Sequence, residues 1–389
     1  MAIPFVYNVR HVMNRPMSTL TTALGIGLTV AILIGALALA SGFRASLVST
    51  GRDDNAIVLR KGADSEISSG ISRDNANIVR ALQEIATGPD GRPLVTADLV
   101  VVTNRERLGQ SGSSNVTVRG VDASAITIRG GVKITAGRMF TPGTDEVIIG
   151  RRIAGRFKHC AVGDRIRFQQ RDFTVVGHFS SGGSAFESEV WGDVEVLMPA
   201  LDRDNTYQTI VFRMRDPQQF PALKARLEAD PRLQVQVQIE RRFFAKQSEL
   251  FTGLITGVGL FITIIMAVGA LFGAANTMFA AIGSRTREIA MLLVLGFSPR
   301  AVMVSFMFES VLIAALGGVL GILMALPVNG ITSSTTNFTS FSELAFQFQV
   351  TPQAMMQGMG FALALGLLGG FFPALRASRQ RLSTALRGG

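Results

Sequence analysis

Few residues in this sequence have a type and spacing that could support covalent chemistry. A phosphate-cradling loop needs Gly-Lys followed by Ser or Thr, and none of the five lysines, Lys61, Lys133, Lys158, Lys224 and Lys246, follows a glycine. These residues therefore hold no ATPase site of the usual kind. A serine-nucleophile elbow fails at Gly183–Ser184, which has no matching glycine after it. His159 and His178 lack metal-ligand spacing, and His178, near Glu187 and Glu189, reads as a satisfied surface histidine. No catalytic residue and no metal ligand is assigned. What remains is Ser284–Phe297, where Arg285, Arg287 and Glu288 stand between two apolar runs, about Phe251–Ile282 and Ala301–Pro327. Each run is long enough to span a bilayer, so the charged stretch must sit at the water's edge, where a soluble protein can grip it. Glu309, about three turns into the second run, is an intramembrane carboxylate that needs a partner. A neighbouring helix or Arg300 satisfying it is preferred over a coupling or substrate role.

The elements that must position this stretch are apolar helices around a soluble insert. Of 389 residues 48% are apolar. They concentrate at the two ends, whereas about Gly51–Lys246 has the charge density of a soluble domain. The expected fold is membrane α-helical, with four transmembrane helices and a large extracytoplasmic mixed α/β domain between helices one and two, carried on helical stalks. Residues 1–18 are a cytoplasmic segment and 19–50 the first transmembrane helix and stalk; the apolar core Thr19–Ser41 is about twice the length of a signal peptide's. The soluble domain is 51–239, a second stalk and helix 240–283, and the charged segment 284–297. The third helix, 298–327, opens on Ser298–Pro299, an N-cap with proline in the first helical position, just after Gly296, a natural C-cap. A short loop, 328–352, a fourth helix, 353–373, ending at Pro373, and a basic tail, 374–389, complete the chain.

Within the insert, strand-like pieces fall at Ala56–Leu59, Leu99–Thr103, Val116–Arg119, Val147–Ile149, Arg165–Phe168, Phe173–Val176 and Thr209–Met214. Amphipathic spacing predicts helices at Asn75–Ala86 and Gln218–Ala229. Together they suggest two βαβ-like parts with a β-rich middle. Cys160, the single cysteine, excludes an intrachain disulfide. Gly253/Gly257, Gly269/Gly273, Gly317/Gly321 and Gly366/Gly370 have the small-xxx-small spacing of close helix packing, within or between chains.

The formal charge of +10 reads, beside membrane spans, as topology and contact with membrane lipids; no aromatic-interleaved basic stripe points to nucleic acid. Arginines flank the N-terminus, lie around Arg285–Arg300, and recur at Arg376, Arg379, Arg381 and Arg387, while Asn329–Val350 has neither lysine nor arginine. The positive-inside rule then puts both termini and the charged segment in the cytoplasm.

Thr286-Arg287-Glu288-Ile289, Leu295-Gly296, Glu309-Ser310 and Leu316-Gly317-Gly318, with Val162-Gly163-Asp164, Phe173-Thr174-Val175-Val176-Gly177 and the tail Pro373-Ala374-Leu375-Arg376-Ala377-Ser378, resemble the MacB/FtsX-like family of ABC transporter permeases. The resemblance covers the whole chain. It implies a multi-pass protein of the bacterial inner membrane, dimeric with a second permease copy or homologue. A cytoplasmic ABC ATPase subunit, expected on a separate chain, would bind ATP and Mg, leaving this chain without cofactor or enzymatic activity of its own. Ser284, Arg285, Thr286, Arg287, Glu288, Ile289 and Leu292 would couple to that ATPase. Its work would pass through the stalks to a periplasmic core domain, a mechanism called mechanotransmission, driving export or extraction of a lipoprotein, peptide or drug with a periplasmic adaptor or acceptor protein. The alternative is an FtsX-like regulator that transports nothing and activates a periplasmic cell-wall hydrolase.

Overall fold

The computed structural model describes residues 5–109 and 111–379; Arg381 and Arg387 of the basic tail lie outside them. In chain order, α1 (Phe5–Asn14) and α2 (Pro16–Val48) lead to β1 (Asn55–Arg60), β2 (Ile71–Ser72), α3 (Arg73–Arg80), β3 (Val95–Glu106), β4 (Ser113–Val121), α4 (Ala125–Arg129) and β5 (Lys133–Gly137). Next come β6 (Glu146–Gly150), α5 (Arg151–Ala154), β7 (Arg165–Phe168), β8 (Arg171–Ser180), β9 (Glu189–Asp193), α6 (Val194–Ala200), β10 (Thr206–Tyr207), β11 (Thr209–Arg213), α7 (Phe220–Ala229) and β12 (Val235–Ile239). The chain ends with α8 (Glu240–Gly283), α9 (Thr286–Val294), α10 (Pro299–Ala325), β13 (Thr332–Thr336), β14 (Glu343–Gln347) and α11 (Pro352–Ser378). Two compact units result. One takes the described residues up to Ser41, Gly253–Ile331 and those from Phe348 on; the other takes Gly42–Thr252 and Thr332–Gln347.

In the helical unit, α2, α8, α10 and α11 are long and apolar enough to cross a membrane. The 44 residues of α8 form one unbroken helix, as the lack of a breaker after Ile239 predicts. Small residues seat α10 between α2 and α11. A Cβ on Gly321 would stand 2.6 Å from the Gly27 carbonyl oxygen, and one on Gly366 2.4 Å from the Ala314 Cβ. Ser310 Oγ donates to the Gly366 carbonyl at 2.6 Å. The N-terminal segment contains a helix of its own, α1, set off from α2 because Pro16 disfavours the helical conformation for Arg15. One expectation on this unit is corrected. The helix α11 does not stop at Pro373 but continues to Ser378, since one lost backbone hydrogen bond is tolerated in a helix this closely packed.

The soluble unit is built on a ten-stranded sheet of order β12-β1-β11-β3-β4-β9-β6-β8-β5, with β7 also on β8. Because β1 and β3 both pair antiparallel with β11, and β11 and β12 both with β1, the segments β1-α3-β3 and β11-α7-β12 are split βαβ units with interleaved strands. The two βαβ-like parts are thus not separate halves. They share one sheet, which β4, β9, β6, β8 and β5 extend. The helix expected at Asn75–Ala86 is α3 and ends at Arg80, because the end of β11 competes for the residues after it. Ala86 N–H donates to the Arg213 carbonyl and Arg215 N–H to the Glu84 carbonyl, both at 2.8 Å, and Ile85 bridges Met214. Cys160 is buried in the soluble unit, and burial pushes its thiol up to about 11, so it is inert at neutral pH. The loop expected at 328–352 forms the hairpin β13–β14, which counts with this unit.

Charge is buried at the sheet's centre. Arg119 on β4 reaches Glu66 (2.8 and 3.0 Å), Glu189 on β9 (2.7 and 2.9 Å) and Asp98 on β3 (3.2 Å), and Arg129 also pairs with Asp98. Glu240, the first residue of α8, is fully buried beside them. Its Oε2 accepts from the Arg52 N–H (3.1 Å) and Asn55 Nδ2 (2.9 Å), whereas its Oε1 and Asn55 Oδ1 find no partner. Burial pushes the Glu240 carboxyl above the usual carboxylate range, against the opposing pull of Arg129 and the two donors. A carboxyl whose folded pKa is raised adds stability below its unfolded value and loses it as pH rises through the folded one. Between about pH 5 and pH 8, the melting temperature of the parent is therefore expected to fall more than that of Glu240→Gln, in which the group cannot ionise. Equal slopes would contradict a Glu240 carboxyl raised by burial.

Candidate coupling surface

The charged stretch folds as a discrete helix because its ends are written locally. At the C-terminus of α9, Gly296 takes φ +93°, Phe297 N–H donates to the Leu292 carbonyl (3.1 Å) and Gly296 N–H to that of Leu293 (3.2 Å), the paired bonds of a Schellman cap. Ser298 Oγ then accepts from Ala301 N–H at 3.2 Å and starts α10 with Pro299 in the first turn.

One side of α9 is fixed inward. Ile289, 1% exposed, packs with Met278, Ile282, Val302, Phe306, Ala374 and Ala377. Arg285, at the helix start, is 6% exposed; its guanidinium donates to Glu309 Oε2 and to Glu288 Oε2, each at 3.1 Å, and stands 5.2 Å from the Phe306 ring centre. Glu309 is itself buried, so the intramembrane carboxylate is satisfied by a neighbouring element through Arg285 and not through Arg300. The pair pins α9 onto α10.

The outward side carries Arg287, Glu288, Met291, Val294 and Leu295 at three- and four-residue spacing. Met291, Val294 and Leu295 are 63%, 64% and 65% exposed, an apolar stripe bordered by charge. Of the seven residues expected to couple, Ser284, Arg287 and Glu288 lie on exposed positions, Thr286 and Leu292 are half-buried, and Arg285 and Ile289 face inward. The latter two cannot touch a docked protein while the helix stays seated. Met291, Val294 and Leu295 are missing from the expected set because in sequence they look like membrane filler; their spacing from Arg287 is the signal that could have found them. Arg15 and His11 read in sequence only as topology charges. Yet Arg15 donates to Ser284 Oγ and His11 Nε2 lies 4.0 Å from Glu288 Oε2, so α1 borders the same surface.

Among the glycine pairs, Gly317 and Gly321 abut α2, and Gly366 and Gly370 abut α10. Gly253, Gly257, Gly269 and Gly273 on α8 have no neighbouring atom within 4 Å of a built Cβ. Among the described residues, no group of three or more His, Cys, Asp or Glu side chains is placed to hold a metal ion.

Residues 19–230 match the family model described as MacB-like periplasmic core domain, and residues 260–382 the one described as FtsX-like permease C-terminal. The macrolide export ATP-binding/permease protein MacB of Bdellovibrio bacteriovorus is 22% identical over 405 residues, covering 94% of this chain and 58% of its own length. Its namesake from Campylobacter fetus is 24% identical over 411 residues, covering 98% and 60%. The chain thus spans 58–60% of the length of these relatives. Among solved structures, the periplasmic region of MacB from Actinobacillus actinomycetemcomitans is similar at 13% identity and a TM-score of 0.38, over 50% of this chain and 92% of that one. The extracellular domain of the noncanonic ABC-type transporter YknZ from Gram-positive bacteria gives 14% and 0.36, over 47% and 99%.

Proposed function

This chain belongs to the MacB/FtsX-like ABC transporter permeases, and from that premise we propose that it converts ATP hydrolysis into movement of its soluble unit, driving export or extraction of a lipoprotein, peptide or drug. ATP would be bound by an ABC module outside these 389 residues, since none of them forms a phosphate loop. The distribution of arginines supports a cytoplasmic α9 and a periplasmic soluble unit. Transport with a second permease copy and a periplasmic adaptor or acceptor protein belongs to the same proposal.

The observation that carries this reading is the outer face of α9. A nine-residue helix, capped at its C-terminus and pinned by a buried ion pair, exposes three apolar side chains beside Arg287 and Glu288. An anchored helix with an apolar centre and charged rim has the make-up of a protein-docking knob. In proteoliposomes containing the complete transporter, Met291→Asp with Val294→Asp is expected to lower ATP-driven turnover at least about tenfold, equivalent to about 1.4 kcal/mol of interface energy. Both side chains are exposed, so the melting temperature should stay unchanged. Turnover at the parental rate would refute the docking role.

A further inference from the structure

Glu343 is the only charged residue between Asn329 and Val350, and it is buried at 4% exposure on β14. A lone carboxylate on a hairpin adds solubility only if it meets water; buried, it is costly unless paired. Two arginines of the soluble unit pair with it from separate segments. Arg107, just past β3, donates to Oε2 at 2.6 Å, and Arg156, just past α5, lies 3.1 Å from Oε1. Arg156 also donates to Ser334 Oγ at 2.5 Å, so one guanidinium engages both strands of the hairpin. The segments bearing the two arginines are themselves joined, Leu108 N–H donating to the Arg156 carbonyl at 2.8 Å.

Neutral bonds extend the attachment. Thr117 Oγ1 donates to Ser342 Oγ (2.9 Å), Ala345 N–H to Ser188 Oγ (3.0 Å) and Arg152 to the Ala345 carbonyl (2.8 Å). Phe346, 1% exposed, meets Phe43 edge-on at 5.6 Å between ring centres. The hairpin is fixed on the soluble unit, and in the chain it joins α10 to α11.

We infer that β13–β14 is a mechanical linkage additional to the helices α2 and α8, latched by Glu343 between Arg107 and Arg156, through which displacement of α10 and α11 is delivered to the soluble unit. The route is continuous. Arg285–Glu309 ties α9 to α10, the 27-residue α10 leads to the hairpin, and Glu343 ties the hairpin to the segments after β3 and α5. A buried acid–base contact thus stands at each end of the route. Glu343 is a positioning residue, and the inference rests on the proposed ATP-driven movement.

Hydrogen exchange on the complete transporter tests it. Glu343→Gln keeps the side-chain shape and removes the charge. Without nucleotide it is expected to speed exchange of the Ala345 N–H at least about tenfold and to leave β1 and β11 unchanged. With ATP and vanadate, the parent is expected to change exchange along β4, and Glu343→Gln to abolish that change. A disulfide between Thr117→Cys and Ser342→Cys, whose side-chain oxygens are 2.9 Å apart in the parent, is expected to restore it in the Glu343→Gln background. The double variant Arg107→Gln/Arg156→Gln is expected to behave as Glu343→Gln does. Parental Ala345 exchange in Glu343→Gln, or an undiminished nucleotide response, overturns the latch while leaving ATP-driven movement intact. A parent with no nucleotide response anywhere in the soluble unit overturns the movement itself, and with it the linkage.

Discussion

Arg119→Met is expected to destabilise the soluble unit by about 3–5 kcal/mol, the usual cost of removing one partner from a buried ionic contact. Arg119 is 1% exposed and reaches three carboxylates, and of these Arg129 forms an ion pair with Asp98 alone. The substitution strands Glu66 and Glu189 in the core, with Trp191 Nε1 (2.7 Å) the remaining side-chain donor to Glu189. The loss should therefore depend on pH. Acid protonates stranded carboxylates and removes the penalty of a buried charge, so the variant is expected to lie closer to the parent near pH 5 than near pH 8. Denaturant unfolding followed by Trp191 fluorescence measures both. A loss below about 1 kcal/mol at neutral pH would show that the cluster is open to water.

Arg285→Ala is expected to cost about 3 kcal/mol in the helical unit and to unseat α9. The substitution leaves Glu309 buried in α10 without its cation and removes the N-terminal tie of a helix otherwise held inward by Ile289 and Ala290. The readout is the accessibility of a cysteine at position 289. In an otherwise parental background Ile289→Cys should resist a water-soluble thiol reagent, because the parent residue is 1% exposed; adding Arg285→Ala should open it. Arg285→Lys is expected to recover part of the protection, since a point charge reaches Glu309 without the fork that also engages Glu288. Unchanged protection after adding Arg285→Ala would show that Ala290 and the packing around position 289 hold α9 without the ion pair.

Local signals in this sequence are faithful, and the failures lie where a residue's direction depends on a distant partner. Gly296, Ser298 and Pro299 act within a few residues of themselves, so the break between α9 and α10 can be read directly. Arg285 cannot be assigned a side from sequence, because only Glu309, 24 residues on, decides that it turns inward. The strand β9, Glu-Val-Trp-Gly-Asp, escapes notice because Glu, Gly and Asp are poor strand formers; parallel pairing with β4 and antiparallel pairing with β6 hold it. β12, Val-Gln-Val-Gln-Ile, alternates plainly but is masked by the polar start of α8 beside it. In the hairpin β13–β14 the missing arginines draw attention away from its single acid. The interleaving of β1, β11 and β12 is long-range pairing, to which local pattern is blind.

An ABC module docked on the outer face of α9 would lie within reach of the side chains exposed there. A photo-reactive amino acid placed in turn at 289, 291 and 294 of the complete transporter, with the cross-linked peptides identified by mass spectrometry, tests this docking most directly. Peptides of the ATP-binding module are expected from positions 291 and 294, and only peptides of the helical unit itself from 289. Cross-links to the module from 289 but not from 291 or 294, or from none of the three, would contradict the docking.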